Sequence, residues 1–329
     1  MENVVKKKDR QTKKEFKQYI ESLNPQSTKD KIISFFRRIW EHKFFYLILL
    51  PAIILLIIFA YKPMYGIVLA FKHYSPRKGI MGSSWCGFDN FKELFAIEDF
   101  SNAFRNTIII NLLKLLFGFP ASILLAIMLN ALHNKVFKNV LQTLVYLPHF
   151  VSWVVVAGLI MALFDERSGS LYRFFSIFGD VNVFGDGVQA IALIVVSDIW
   201  KEVGWGAIIY LAALSGISGD LYEAAELDGA NSVQQFFNVT LPQLMPTISI
   251  MLILRVGGII GGGFDQIYSL FNDNSIVKPY VDVLDTFVYR YGIGSGQFSM
   301  ATAIGLFENL INIVLLFSAN KVVSLINKE

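Results

Sequence analysis

The sequence predicts an all-α membrane protein of six transmembrane helices, with a helix-turn-helix projecting between the fourth and fifth. Three observations carry this. Of the 329 residues, 54% are hydrophobic and only 17% charged, whereas soluble domains run to about 45–50% apolar with about a quarter charged. Six segments, 44–61, 107–132, 140–163, 188–217, 244–271 and 298–325, are continuously or nearly continuously apolar and meet or approach the roughly 20 residues that cross a bilayer as a helix. Alternating strands of the barrel type are not apparent, and helices satisfy their own backbone polar groups in lipid.

The chain opens on a basic arm. Residues 1–43 hold 12 Lys/Arg against 6 Asp/Glu and include VVKKKDRQTKK. A secretory signal would place an apolar core within about the first thirty residues, followed by a small-residue cleavage site. That core is missing, so FFYLILLPAIILLIIFAY (44–61) reads as a retained span. A basic arm stays in the cytoplasm, and six crossings return the C-terminal ANKVVSLINKE to the same side. In that orientation the cytoplasmic segments carry 16 Lys/Arg and the outside loops 10. The organisation is thus a cytoplasmic arm, 1–43, and one membrane domain, 44–325. Connections such as SPRKGIMGSSWCGFDN and NDNSIVKPYVD have the Gly, Ser, Asn, Asp and Pro of loops. The single cysteine, Cys86, excludes an intrachain disulfide.

Between spans four and five lies the cytoplasmic loop 218–243, which contains EAAELDGANSVQQFFNVTLP. Asp220 followed by Glu223 has the spacing of a capping box for a helix over 221–228. Gly229 then stands where a left-handed C-cap residue is wanted. Ser232 and Gln235 repeat the start signal, and Leu241-Pro242 is expected to end the second helix. Leu221, Ala224 and Ala225 give the first helix a small apolar face. Interfacial helices usually carry Lys/Arg toward lipid; this loop is acidic, which favours a protein groove instead.

Ionisable groups inside spans usually face a cavity or each other. Span four holds Asp198, Lys201 and Glu202, and Asp198 and Lys201 are close enough to pair locally. On a continuous span-five helix Arg255, Gly258, Gly262, Asp265 and Gln266 fall within a sector of about 100°. Two readings stand at this point: a polar stripe lining a cavity, or glycine packing against a partner helix. Arg255 could take a ligand carboxylate, with Lys201 as a second positive site, whereas Asp265 or Glu308 would neutralise Arg255 within the bundle. Trp153, Trp200 and Trp205 are candidates to stack on the rings of a ligand or to anchor and pack. No phosphate-binding G-x-x-x-x-G-K-[ST] occurs, GIGSGQ (292–297) lacking the lysine. The four histidines, His42, His73, His133 and His149, are scattered without metal-site spacing. No nucleophile constellation is visible.

The pattern Glu223-Ala224-Ala225, Gly229, Val239 and Leu241-Pro242 resembles the coupling-loop motif of binding-protein-dependent ABC importer permeases, with Val239 in place of the commoner Ile. Further segments, LPHFVSWVVVAGL (147–159), LAALSGI, FDQIYSLF, LDTFVYRYGI and ATAIGLFENL, resemble the maltose-type carbohydrate importers, especially the complex-oligosaccharide branch. The likeness runs over roughly 45–325. It implies a permease of the bacterial cell membrane with both termini cytoplasmic. Glu223, Ala224, Ala225, Gly229, Leu241 and Pro242 would then couple it to a cytoplasmic ATPase dimer, which holds the ATP and magnesium, so the resemblance implies neither an enzyme nor a cofactor in this chain itself, and no nucleic-acid partner. A homologous second permease, an extracellular solute-binding protein and an oligosaccharide complete the set of partners. Competing readings are an ABC permease for another solute, a membrane scaffold, or a secondary transporter. The last should show inverted repeats with paired broken helices, and no convincing repeat is found.

Overall fold

The computed structural model describes residues 40–272 and 274–326; the lysine-rich run of the arm lies outside them. The chain divides after Gly66 into two compact units. In the first, α1 (Lys43–Leu56) passes through a π-turn, Ile57–Tyr61, into a last turn, Lys62–Met64. Continuing 3-10 turns extend the helical run, Lys43–Phe71, to 29 residues.

The second unit starts with a short hairpin, β1 (Lys72–His73) against β2 (Ser84–Trp85), and α2 (Asp89–Ala96). Its long elements are α3 (Glu98–Asn130), α6 (Gly187–Ser215) and α13 (Phe298–Ile326). Between the first two come α4 (Lys135–Tyr146) and α5 (Trp153–Leu163). After α6 follow α7 (Gly219–Leu227), α8 (Ser232–Gln235), α9 (Leu241–Gly257) and α10 (Phe264–Phe271). Two short helices, α11 (Lys278–Val281) and α12 (Leu284–Tyr289), precede α13. Helix α3 starts nine residues before the expected 107 because Glu98 and Asp99 occupy its first turn, where acidic side chains suit the helix dipole.

Three apolar clusters lie along α3. Phe100 and Ala103 pack with Leu284, Phe287, Met300 and Ile304. Ile110 meets residues of α5, α6, α10 and α11, among them Val156, Ile194 and Ile267. Ala126 joins Ala207, Tyr210, Leu214 and Leu244 on α6 and α9. The small residues Ala103, Ala126 and Ala207 let these backbones approach, the usual means of helix association in lipid.

Among the described residues, four helices are long and apolar enough to cross a membrane, or five if one bent pair counts as a single span. Helix α6 has the length to cross, but Asp198, Lys201 and Glu202 crowd three charges into five positions.

Two of the expected spans are broken. The segment expected as a straight span over 140–163 is α4, a 3-10 turn at Leu147–Phe150, and α5, bent by 100°. Pro148 supplies no N–H to continue the helix, and the Ser152 hydroxyl caps the new one at Val155 N. The expected span 244–271 ends as a regular helix at Gly257 and resumes at Phe264. In the gap Gly261 and Gly262 take φ of 129° and 82°, values an L side chain resists. Side chains satisfy the freed backbone groups. Asn111 donates to Ile259 O at 2.8 Å, Asn312 exchanges bonds with Ile260 N and O at 3.0 and 2.7 Å, and Asp285 accepts from Gly263 N at 2.9 Å. Irregular backbone inside a membrane protein requires partners of this kind.

Candidate functional site

Loop 218–243 forms the two expected short helices with shifted caps. Helix α7 is capped by Ser218, whose hydroxyl accepts from Asp220 N at 3.3 Å. The expected Asp220–Glu223 box therefore does not form, and Glu223 lies in the second turn. Gly229 has φ 80° and ends α7 as anticipated. Ala230 N bonds to Ala225 O and Gly229 N to Glu226 O, each at 2.9 Å; together these are the Schellman pattern of a glycine-terminated helix. Helix α8 starts one residue earlier than expected, on an Asn231–Gln234 capping box.

Leu241-Pro242 does not end the second helix. A π-turn, Phe236–Thr240, leads directly into α9, and the run Ser232–Gly257 is unbroken over 26 residues. The wider turn makes room for the Pro242 ring, whose clash with the preceding turn would otherwise break the helix. Glu223, Ala224 and Pro242 are exposed, Ala225 and Leu241 half-buried. Leu227 at the tip is 90% exposed.

The far end of that run borders a cavity of about 260 Å³ between α3, α6 and α9. Asn111, Lys114, Asp198, Glu202, Arg255, Gly258 and Gly262 are among its lining residues. Lys114 is not among the site residues expected from the sequence, although it is the one ionisable residue in 107–132, which is itself a signal. Its ammonium lies 2.9 Å from Asp198 and 2.6 Å from the Gln266 Oε1 it donates to. Gln266, 2% exposed, donates in turn to Ile194 O at 2.7 Å and Ser197 Oγ at 3.0 Å.

The expected polar stripe is therefore divided. Arg255, Gly258 and Gly262 line the cavity, Gln266 is buried and bonded to the lining residue Lys114, and Asp265 is exposed and outside the lining. The break at 258–263 ends the single helical phase on which the stripe rested. Lys201 does not line the cavity either. It is 5% exposed, donates to His149 O at 2.6 Å and stands 3.4 Å from Glu202. It braces the α4–α5 bend and offers no charge to the cavity. Glu202 also meets His149 Nδ1 at 2.8 Å, and the His149 ring stacks on Trp205 at 4.4 Å. Trp153 lies under the Lys201 ammonium at 5.7 Å, so two of the three candidate tryptophans are held within this cluster.

Arg255 is exposed and forms no ion pair with any described residue. Glu308 borders a different cavity together with Asp285, and neither it nor Asp265 neutralises Arg255. A further cavity of about 690 Å³ is lined by loop residues including Asp165, Glu166 and Asn274. Hydrogen bonds from Ser168 hold the Asp165 carboxyl below its ordinary pKa.

A family model described as "Binding-protein-dependent transport system inner membrane component" matches residues 118–328. The chain belongs to this family. As a permease it is a multi-pass membrane protein. It is 38% identical to Protein LplB of Bacillus subtilis over all of this chain and 99% of that one. It is also 38% identical to the polygalacturonan/rhamnogalacturonan transport system permease protein YteP of the same organism, over 88% and 90% of the two chains. Among solved structures, the permease superposes on a chain of a bacterial ABC transporter that imports the acidic polysaccharide alginate. The TM-score is 0.81 at 37% identity, covering 88% of this chain and 98% of that one. A second structure of a bacterial alginate ABC transporter, in complex with an alginate pentasaccharide-bound periplasmic protein, gives 0.81 at 38% identity over 89% and 98%.

Proposed function

We propose that this permease carries an acidic, uronate-containing oligosaccharide in an ATP-driven importer. The observation that carries the proposal is Arg255, an unpaired guanidinium at the edge of the α3–α6–α9 cavity. Guanidinium presents a rigid donor fork that matches a carboxylate in two parallel bonds. The cavity is slightly below the roughly 300–1,000 Å³ of ordinary ligand pockets, so it receives one unit of a longer chain. A homologous second permease supplies the opposite wall of the path. The acidic cargoes named for YteP and the alginate importer support the same chemistry.

In this reading six spans place both termini in the cytoplasm, with α6 and the broken segments 135–163 and 241–271 each serving as one crossing. Loop 218–243 docks on a cytoplasmic ATPase through Glu223, Ala224 and Ala225, while Gly229 sets the turn and Leu241-Pro242 lead into α9. ATP and magnesium belong to that ATPase, and an extracellular binding protein delivers the sugar.

The test is purification of the complex through this chain, identification of the co-purifying subunits, and uptake in proteoliposomes. Oligogalacturonate or alginate oligosaccharide should be taken up in preference to neutral maltooligosaccharide. Preference for the neutral sugar would overturn the acidic-cargo reading, and absence of an ATPase would overturn the importer reading. For orientation, cysteines at the exposed positions Lys78 and Ser275 should label from outside in intact cells, and one at Ser232 only after permeabilisation.

A further inference from the structure

The loop and the cavity are joined by the unbroken run Ser232–Gly257, which at 1.5 Å per residue is about 39 Å long. Its weak point is the π-turn Phe236–Thr240, where the regular hydrogen-bond ladder is interrupted. One side-chain bond spans the loop at that point: the Tyr222 hydroxyl lies 2.9 Å from Thr240 Oγ1. Thr240 is 8% exposed, and its hydroxyl faces the Gln235 carbonyl at 3.5 Å. With the threonine proton directed there, Tyr222 is the donor. Helix α7 also packs on this turn, whereas along the chain α7 reaches α9 through the turn at Gly229, with φ 80°.

We propose that Tyr222 is a positioning residue that, through Thr240, locks α7 to the base of α9, so that displacement of α7 moves Arg255 instead of being absorbed in the π-turn. This rests on the importer reading above. Without the bond, α7 can still seat on an ATPase, but its movement reaches the cavity less completely. The effect belongs to transmission, not to docking or to cargo contact.

The experiment uses the whole complex in liposomes, in a Cys86→Ser background with Gly258→Cys as a reporter. Gly258 lines the cavity, and the nearest atom to a Cβ there is Leu254 O at 3.8 Å. The rate at which a charged thiol reagent modifies that cysteine is measured with and without ATP plus vanadate. Tyr222→Phe and Thr240→Val should each retain the ATPase subunits, while the nucleotide-dependent change in rate shrinks by roughly threefold to tenfold, the range for losing one neutral hydrogen bond. Thr240→Ser should keep the response, and the double variant should be no worse than either single. An undiminished response in Tyr222→Phe, or additive losses in the double variant, would overturn the proposal. So would loss of assembly in Tyr222→Phe, which would make the contact merely structural. A parent complex that shows no nucleotide response at Gly258→Cys would instead sink the coupling reading on which the proposal stands.

Discussion

Helices α6 and α9 both carry charge beside the same cavity, and they handle it in opposite ways. On α6, Asp198 meets Lys114 of α3, Lys201 meets the His149 carbonyl, and Glu202 meets His149 and Lys201. On α9, Arg255 has no acidic partner among the described residues. Charges in a low-dielectric bundle are tolerated when paired and hydrogen-bonded. The α6 charges are therefore committed to holding helices together, and the α9 charge is available to a ligand. Exposure agrees with this division, since Lys201 is 5% exposed while Arg255 is exposed.

The largest loss should follow from leaving one α6 charge alone. Lys114→Met strips Asp198 of its partner and Gln266 of its donor. Breaking a buried pair on one side costs about 3–5 kcal/mol, so the complex should lose much of its thermal stability in detergent. Adding Asp198→Leu should recover most of that loss, because no lone charge then remains. If Lys114→Met were as stable as the parent but failed to transport, Lys114 would be a cargo contact and the division between the helices would fail.

Arg255→Gln should behave in the opposite manner. Stability should hardly change, since no partner is orphaned. Apparent affinity for an acidic oligosaccharide should fall by about tenfold to a hundredfold, the equivalent of a charge-assisted bond of about 1.5–3 kcal/mol. Neutral oligosaccharide uptake, measured in the same proteoliposomes, should be far less affected. Equal losses for both cargoes would make Arg255 structural.

How much of this was legible in the sequence depended on whether the signal was local. The Gly229 turn and the existence of two short helices follow from a few neighbouring residues, and both are present. Cap positions shifted by one or two residues because Ser218 and Asn231 compete with Asp220 and Ser232 for the same role. Continuous apolarity does not distinguish a straight span from a bent one, so 140–163 and 244–271 each look like a single helix in the sequence. Pro148 and the run GGIIGG (257–262) were the available warnings. The partners that hold the second break, Asn111, Asn312 and Asp285, come from distant segments, and no spacing rule brings them together. Lys201 follows from being an ionisable group inside a span, a rule that does not say which neighbour takes the charge, and Asp265 follows from helical phase, which fails beyond a break. Lys114 was visible as a lone intramembrane charge, but its pairing with Asp198 was not.

If α9 is the helix that answers to the loop, disturbing the loop should be felt at Arg255 more than at Lys114. Gly229→Val forces a β-branched residue to φ 80°, a conformation that costs an L residue about 1–2 kcal/mol. Membrane insertion and the Lys114–Asp198 pair should survive, whereas transport should fall sharply as α7 and α8 lose their relative placement. Normal cargo-stimulated ATP turnover in Gly229→Val would remove the turn from the mechanism and leave the contrast between α6 and α9 purely electrostatic.

The smallest effect on the chain itself should come from Glu223→Lys. An N-terminal position would have made Glu223 a favourable charge on the helix dipole, but α7 begins at Gly219, and the dipole effect fades beyond the first turn. Glu223 is exposed and enters no ion pair among the described residues. Surface substitutions of this kind usually change stability by less than about 0.5 kcal/mol. The variant should therefore melt with the parent complex and keep the Arg255 cavity intact, yet retain less ATPase on purification, increasingly so at low ionic strength where surface charge is least screened. Arg255→Gln should show the reverse pattern, with full ATPase retention and weakened acidic cargo. Full ATPase retention by Glu223→Lys at every ionic strength would remove its carboxylate from the docking surface and leave the seating of α7 to Ala224, Ala225 and the exposed Leu227.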